Sequence, residues 1–268
     1  MKKLSAIVLT LALSLGLVAC GGGEAESDNT ITIGATPSPH AEILEFVQPL
    51  LEEKGYKLEI VEFTDYVQPN VAVDSGDLDA NFFQHTPYLE EFNESRGTDL
   101  VKVAPVHFEP LGVYPGKTKS LDELKDGAVI AVPNDATNEA RALLILEDLG
   151  IIKLTEGVGL NATVLDIEEN PHNVEIKEIE AVQETNILPD VDFAVINGNY
   201  AVSAGILDTL LVGESKDGEA PATYANVIAV KAGHENDEGI KALVEVITSD
   251  EVRNFINEEY EGLFVPVF

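Results

Sequence analysis

Short β-type runs alternate with helical stretches along almost the whole chain, and this alternation restricts the possible fold more than any other feature. Ile31 to Ala35 and Leu58 to Phe63 read as strands. Between them, Ala41 to Lys54 carries Ile43, Leu44, Val47, Leu50 and Leu51 at helical spacing and stops before Gly55, which makes a βαβ unit. A helical stretch from Tyr66 to Asp74, a strand from Asp79 to Phe83, a helix after Pro87, and strand-like runs Val101 to Phe108 and Leu111 to Tyr114 continue the series. Strands that alternate with helices predict a mostly parallel sheet with helices on its faces.

Pro115, Gly116 and Lys117 interrupt the pattern, and a second unit opens with Ala128 to Val132. A helix through Leu149 is stopped by Gly150, and strands follow at Val174 to Ile179 and Phe193 to Ile196. Asn226 to Lys231 is a late strand, with helical stretches around Ile240 to Ile247 and Glu251 to Tyr260 after it. The predicted architecture is α/β with two lobes: residues 31–110 plus 228–268 form lobe one, and residues 111–227 form lobe two. Two crossover segments then join the lobes and leave a cleft between them that can open and close.

The amino terminus points to export. Lys2 and Lys3 precede the apolar run Leu4 to Leu17, and residues 1–19 read as a secretion signal. A membrane span needs about 20 apolar residues, and this run is shorter and is followed at once by Gly21, Gly22 and Gly23. The string LVAC resembles a bacterial lipobox, in which the cysteine becomes the first mature residue and carries lipid. Cys20 is the only cysteine, which leaves the body without disulfides or thiol chemistry. The competing reading is an ordinary signal with an accidental cysteine; Leu17 and Ala19 sit where the lipobox reading wants them. Residues 20–30 are then a lipid attachment point and a small, polar, acidic tether. The expected location is the cell membrane, lipid-anchored through Cys20, facing outside the cytoplasm.

The formal net charge is −32, and loss of Lys2 and Lys3 with the signal makes it more negative still. Such a body is repelled by nucleic acid and by anionic lipid. At 45% hydrophobic residues the acidic surface nevertheless coats a real core.

Three strand-to-helix turns carry candidate chemistry. In DANFFQHTPYL, alternation along a strand puts Asn81, Phe83 and His85 on one side and Phe82 on the other, and Pro87 sits at a helix start. Phe83, His85 and Tyr88 are placed to form three sides of an aromatic box where α/β sheets hold ligands; alternatively Phe83 is core and His85 caps a turn. In PNDATNEARAL, Arg141 near a helix start offers a fork for a carboxylate, or else meets a surface Asp or Glu. In FAVINGNY, Asn197 and Asn199 offer carbonyls to an ammonium group, as does Asn226 farther on; both groups also suit plain turn chemistry.

At these stretches and at FTDYVQPN the chain resembles the NlpA/MetQ family of methionine-binding lipoproteins, which serve ABC importers. The resemblance spans essentially the whole chain, including GVGLNATVLDIEENPHNVEIKEIEA. It implies a type II periplasmic-binding-protein fold, an ABC transporter permease as partner, and methionine or a close analogue such as D-methionine or a methionine dipeptide as ligand. By matching position the implied ligand-binding residues are Tyr66, Phe83, His85, Tyr88, Asn138, Arg141, Asn226 and one or both of Asn197 and Asn199. Arg141 would take the carboxylate, the asparagines the amine, and the aromatics the thioether, each such contact worth about 0.3 to 1.5 kcal/mol. Two departures stand out. Ala140 replaces a common glycine and is expected to narrow the approach to Arg141, and ETNILPD after Gln183 is expected to alter lobe two near the cleft.

Other function classes find less support. His40, His85, His107, His172 and His234 are scattered, with no pair at metal-ligand spacing, so neither a metal nor a cofactor is expected. No serine lies in a nucleophile motif and no catalytic residue is expected. A monomer is expected, and a second role as an adhesin leaves no mark in the sequence.

Overall fold

A computed structural model describes residues 29–268. The expected signal, Cys20 and all but the end of the expected tether lie outside the described residues.

The strands are β1 (Thr30–Ala35), β2 (Lys57–Glu62), β3 (Ala80–His85), β4 (Leu100–Phe108), β5 (Gly112–Pro115), β6 (Val129–Pro133), β7 (Lys153–Leu154), β8 (Ile167–Glu169), β9 (Glu175–Ile179), β10 (Phe193–Ile196), β11 (Val212–Gly213), β12 (Ala225–Lys231) and β13 (Val265–Pro266). The helices are α1 (Glu42–Glu52), α2 (Gln68–Ser75), α3 (Thr86–Arg96), α4 (Ala136–Asp148), α5 (Glu184–Ile187), α6 (Gly198–Ser203), α7 (Ala220–Thr223), α8 (Glu238–Ile247) and α9 (Asp250–Glu259). One large sheet has the order β13-β4-β12-β3-β1-β2 and the other β11-β5-β10-β6-β9, and β7 pairs with β8 in a separate antiparallel ribbon. The chain leaves the first sheet after Phe108, enters the second at Gly112, and returns between Gly213 and Ala225. Residues 225–227 already pair in the first sheet, three residues ahead of the return expected at 228.

Both sheets are mixed, which corrects the expectation of mostly parallel pairing. β1 runs parallel to β2 and β3, and β6 runs parallel to β9 and β10. β12 returns from the second sheet and slots between β3 and β4, antiparallel to both, while β5 follows β4 without a crossover helix and is antiparallel to β10 and β11. The local period reveals a strand; the direction from which it arrives is decided by the crossing between lobes.

Each sheet has its own core. Ile33, Phe82 and Ile228 meet Ile43, Leu44 and Val47 of α1, Leu243 and Ile247 of α8, and Val252 and Ile256 of α9. Ile130, Val132, Phe193 and Val195 meet Leu143 and Leu146 of α4. Ala140 is fully buried in that second core, on a different side of α4 from Arg141, so its methyl fills the core and does not narrow the approach to the arginine.

Two element boundaries bear on the site. The Asp65 carboxylate accepts from the backbone N–H groups of Val67 and Gln68 at 2.8 Å each, so the helix starts at Gln68 and Tyr66 stands outside it. β3 runs on to His85 because Asn226 of β12 pairs with that residue. The register shifts at Phe83, which breaks the expected strict alternation. As a result Asn81 hydrogen-bonds Gln84 at 2.9 Å, and both join Asn70 in a buried amide cluster.

Candidate functional site

Tyr66, Phe83, His85, Tyr88, Asn138, Arg141, Asn197, Asn199 and Asn226 line one narrow cavity, together with Gln84 and Glu109. The first sheet and its helices supply one wall, and α4, the end of β10 and α6 supply the other. The lobes meet so closely around it that little more than a water fits, and a solute of amino-acid size needs them to part.

The apolar end is aromatic. Ring centroids of Tyr66 and Phe83 lie 5.8 Å apart, Tyr66 and Tyr88 5.9 Å, and Phe83 and Tyr88 6.0 Å. Phe83 clusters with these rings and Phe92, while Phe82 belongs to the core of the first lobe. His85 caps α3 and also lines the cavity: its Nδ1 accepts from the Tyr88 backbone N–H at 3.1 Å. The proton therefore sits on Nε2, which donates to Asn138 Oδ1 at 3.1 Å. Burial, with Arg141 adding to it, holds the His85 pKa down at about 3, so the ring is neutral at ordinary pH.

Asn138 is a hub. Its Oδ1 accepts from His85, from Arg141 Nη1 at 3.0 Å and from Asn197 Nδ2 at 3.1 Å, and its own amide donates to Asp135. It thus positions its neighbours, with its Oδ1 fully engaged inside the protein.

Arg141 is also largely committed. Its Nε and Nη2 grip the carboxylate of Glu214 at 3.0 and 2.5 Å, and Nη2 also donates to the Glu109 carbonyl at 3.2 Å. The guanidinium lies 4.2 Å from the centroid of the Tyr224 ring. Burial opposes its charge, yet Glu214 more than compensates and the arginine stays protonated. Of its five N–H groups, one on Nη1 remains for the cavity. The acidic partner read as the alternative for Arg141 is therefore present, as a part-buried residue whose side chain is 10% exposed.

Among the asparagines, Asn197 Oδ1 is buried with no hydrogen-bond partner in the protein. A buried acceptor left empty costs about 1–3 kcal/mol, so it is a place for a donor from outside the chain. Asn199 Oδ1 accepts from the Tyr66 hydroxyl at 2.6 Å, and Asn226 Oδ1 faces His40 Nε2 at 3.2 Å.

Behind Asn226 lies a buried group that the sequence did not disclose. His40 Nε2 and His107 Nε2 approach Glu109 Oε1 at 3.2 and 2.7 Å. Histidines 67 positions apart thus meet, correcting the reading of all five as scattered. Metal ligands at 2.0–2.2 Å in tetrahedral geometry stand about 3.3–3.5 Å from one another. The 2.7 Å contact is shorter, and is a hydrogen bond from imidazole to carboxylate. Burial lowers His40 to about 4 and His107 to about 3, so both rings are neutral donors, and burial raises Glu109 above the ordinary carboxylate range.

Sequence reasoning also missed Glu214, Tyr224 and Tyr200. Only distant chain segments bring Glu214 to Arg141, and nothing in a local pattern marks them. Tyr200 alone carried a cue, standing in FAVINGNY beside Asn199; its hydroxyl donates to the Thr64 carbonyl at 2.9 Å and its ring lies 5.1 Å from Tyr66. The ETNILPD segment forms α5 and the turn after it and buries Glu184, whose carboxyl has no hydrogen-bond partner and is pushed well up by desolvation.

Two α/β lobes, two crossings and a polar and aromatic cavity between them define the solute-binding-protein class. The NlpA lipoprotein model matches residues 31–268, and the chain belongs to that family. It is 42% identical over 266 residues to the D-methionine-binding lipoprotein MetQ of Escherichia coli, covering 97% of this chain and 96% of that one. A lipoprotein structure from Ruminococcus gnavus is 54% identical, covers 90% of this chain and all of its own, and superposes with a TM-score of 0.88. A nutrient-binding protein from Burkholderia cenocepacia, solved bound to methionine, is 45% identical with a TM-score of 0.84, covering 89% of this chain and all of its own. Among the described residues no helix is long and apolar enough to cross a membrane.

Proposed function

We propose that this chain is a lipid-anchored receptor that closes on methionine outside the cytoplasm and delivers it to an ABC importer. The observation that carries the reading is the cavity itself, where an aromatic box adjoins a buried, partnerless acceptor on Asn197 and a residual donor on Arg141. A thioether side chain suits the rings. The ligand carboxylate takes the Arg141 Nη1 donor and the amide groups of Asn226 and Asn199, and the ammonium takes Asn197 Oδ1. No bond is made or broken: the buried histidines are neutral and hydrogen-bonded, and the cavity binds rather than transfers protons. The chain acts as a monomer, held to the membrane by lipid on Cys20 and handing its load to the permease.

The test is calorimetric titration of the protein, unfolded and refolded to remove any carried ligand, with L-methionine, D-methionine and methionine dipeptides. Tight one-to-one binding of methionine is the expected result. Heat from a dipeptide alone would move the substrate and keep the importer role. No heat from any of them would overturn the assignment.

A further inference from the structure

Glu109 faces the same cavity from the first crossover, and neither the motifs nor the positions matched to the family include it. Its carboxylate is held in place from several sides. His40 and His107 approach Oε1, and the backbone N–H of Asn199 also bonds to the carboxylate. His40 is itself fixed, because its Nδ1 accepts from Thr36 Oγ1 at 2.7 Å and its Nε2 faces Asn226. Gly198 lets the side chain pass: a Cβ there would lie 3.1 Å from Glu109 Cβ and 2.9 Å from Phe264. The donors to the carboxylate, His107 and the Asn199 N–H, are neutral, while the N–H of the neutral His40 ring is taken by Asn226. Arg141, the nearest cation, has its charge matched by Glu214, and the hydroxyls of Tyr66 and Tyr260 act on Glu109 only at longer range.

A buried carboxylate with oriented neutral donors and no cation of its own is a socket for a cation that comes and goes. Resting on the amino-acid reading above, we infer that Glu109 receives the ligand's α-ammonium, and that this ion pair makes the site select ligands with a free amino group. Asn197 Oδ1 supplies a second acceptor for the same group. His107 is a positioning residue that orients the carboxylate without touching the ligand, and His40 packs beside it while holding Asn226. The linkage follows directly. Burial raises Glu109 in the free protein, and an ammonium beside it favours the ionised form, so methionine binding expels a proton wherever the free carboxyl is partly protonated. Affinity for methionine therefore falls as pH drops through that range.

The experiment compares L-methionine with 4-(methylthio)butanoate, which keeps the thioether and carboxylate and lacks the ammonium. In Glu109→Gln, methionine affinity is expected to fall about 10- to 100-fold while affinity for the deaminated ligand holds or improves. Equal losses for both ligands would overturn the inference. A second measurement needs no variant: wild-type titrations between about pH 6 and 7.5, where both ligand carboxyls are already ionised, in buffers of different ionisation heat, are expected to show proton release with methionine and none with the deaminated ligand. Identical proton counts would overturn the inference as well. Failure of the wild type to bind methionine at all would overturn the transport reading and this one together, whereas methionine binding with an unchanged preference in Glu109→Gln would overturn this one alone.

Discussion

Arg141 is held by Glu214, Asn138, the Glu109 carbonyl and the Tyr224 ring, and one N–H is left over. Truncating it therefore does two things. Arg141→Ala is expected to weaken methionine binding, and it leaves the part-buried Glu214 carboxylate with only the Leu111 N–H at 2.8 Å, which costs up to about 3 kcal/mol of stability. Chemical denaturation checks the second effect, and a midpoint equal to wild type would show that Glu214 finds water or another partner. The type of residue at 141 and its place near a helix start were legible in the sequence. Its commitment to Glu214 was not, because 73 positions separate the two and no periodic pattern links them.

At the scale of elements, the strand-to-helix turns that carry the site were legible because their signals are local: Pro87 at the start of α3, the run PNDATNEARAL leading into α4, and a buried strand followed at once by Asn197. The bulge at Phe83 was not legible, since it depends on how β12 pairs with β3. α6 shows how tightly an element is seated. Gly198 opens it under the Phe264 ring and beside Glu109, so Gly198→Ala is expected to cost about 1–3 kcal/mol through overpacking. Thermal melts of the ligand-free variant measure this, and an unchanged Tm would mean that Phe264 and Glu109 shift freely.

At the scale of the molecule, the lobes are shut by contacts that cross between them. Tyr66 donates to Asn199, Tyr200 donates to the Thr64 carbonyl, and His85 donates to Asn138. Removing one such hydrogen bond costs about 0.5–1.5 kcal/mol. Tyr200→Phe should thus speed methionine release about 2- to 10-fold in stopped-flow chase experiments, with little change in association. If release is unchanged, that bond does not resist opening. Acid should also weaken the fold. His40, His85 and His107 stay neutral to about pH 4, 3 and 3, whereas unfolded imidazoles take protons near 6.5. Between pH 6.5 and 4 the unfolded state binds more protons, so each ring lowers stability as the pH drops. Glu109 and Glu184, both raised by burial, act with the opposite sign above 4.5. Comparing denaturation of wild type and His85→Gln isolates one histidine: the variant should lose less stability on acidification, and parallel curves would contradict the assignment.

Periodicity, turn residues and the order of motifs determined by themselves that the chain alternates strands with helices and which short stretches present polar and aromatic groups at strand ends. These are short-range properties, written in neighbours two to four positions apart. The tertiary structure alone decided that β12 enters antiparallel, that His40 and His107 flank Glu109, that Glu214 neutralises Arg141 and that Asn197 keeps an unmet acceptor. Each of these joins segments distant in the chain, and what settles them is desolvation. A polar group taken out of water must be matched by whatever the fold brings beside it, and no local pattern records what that will be.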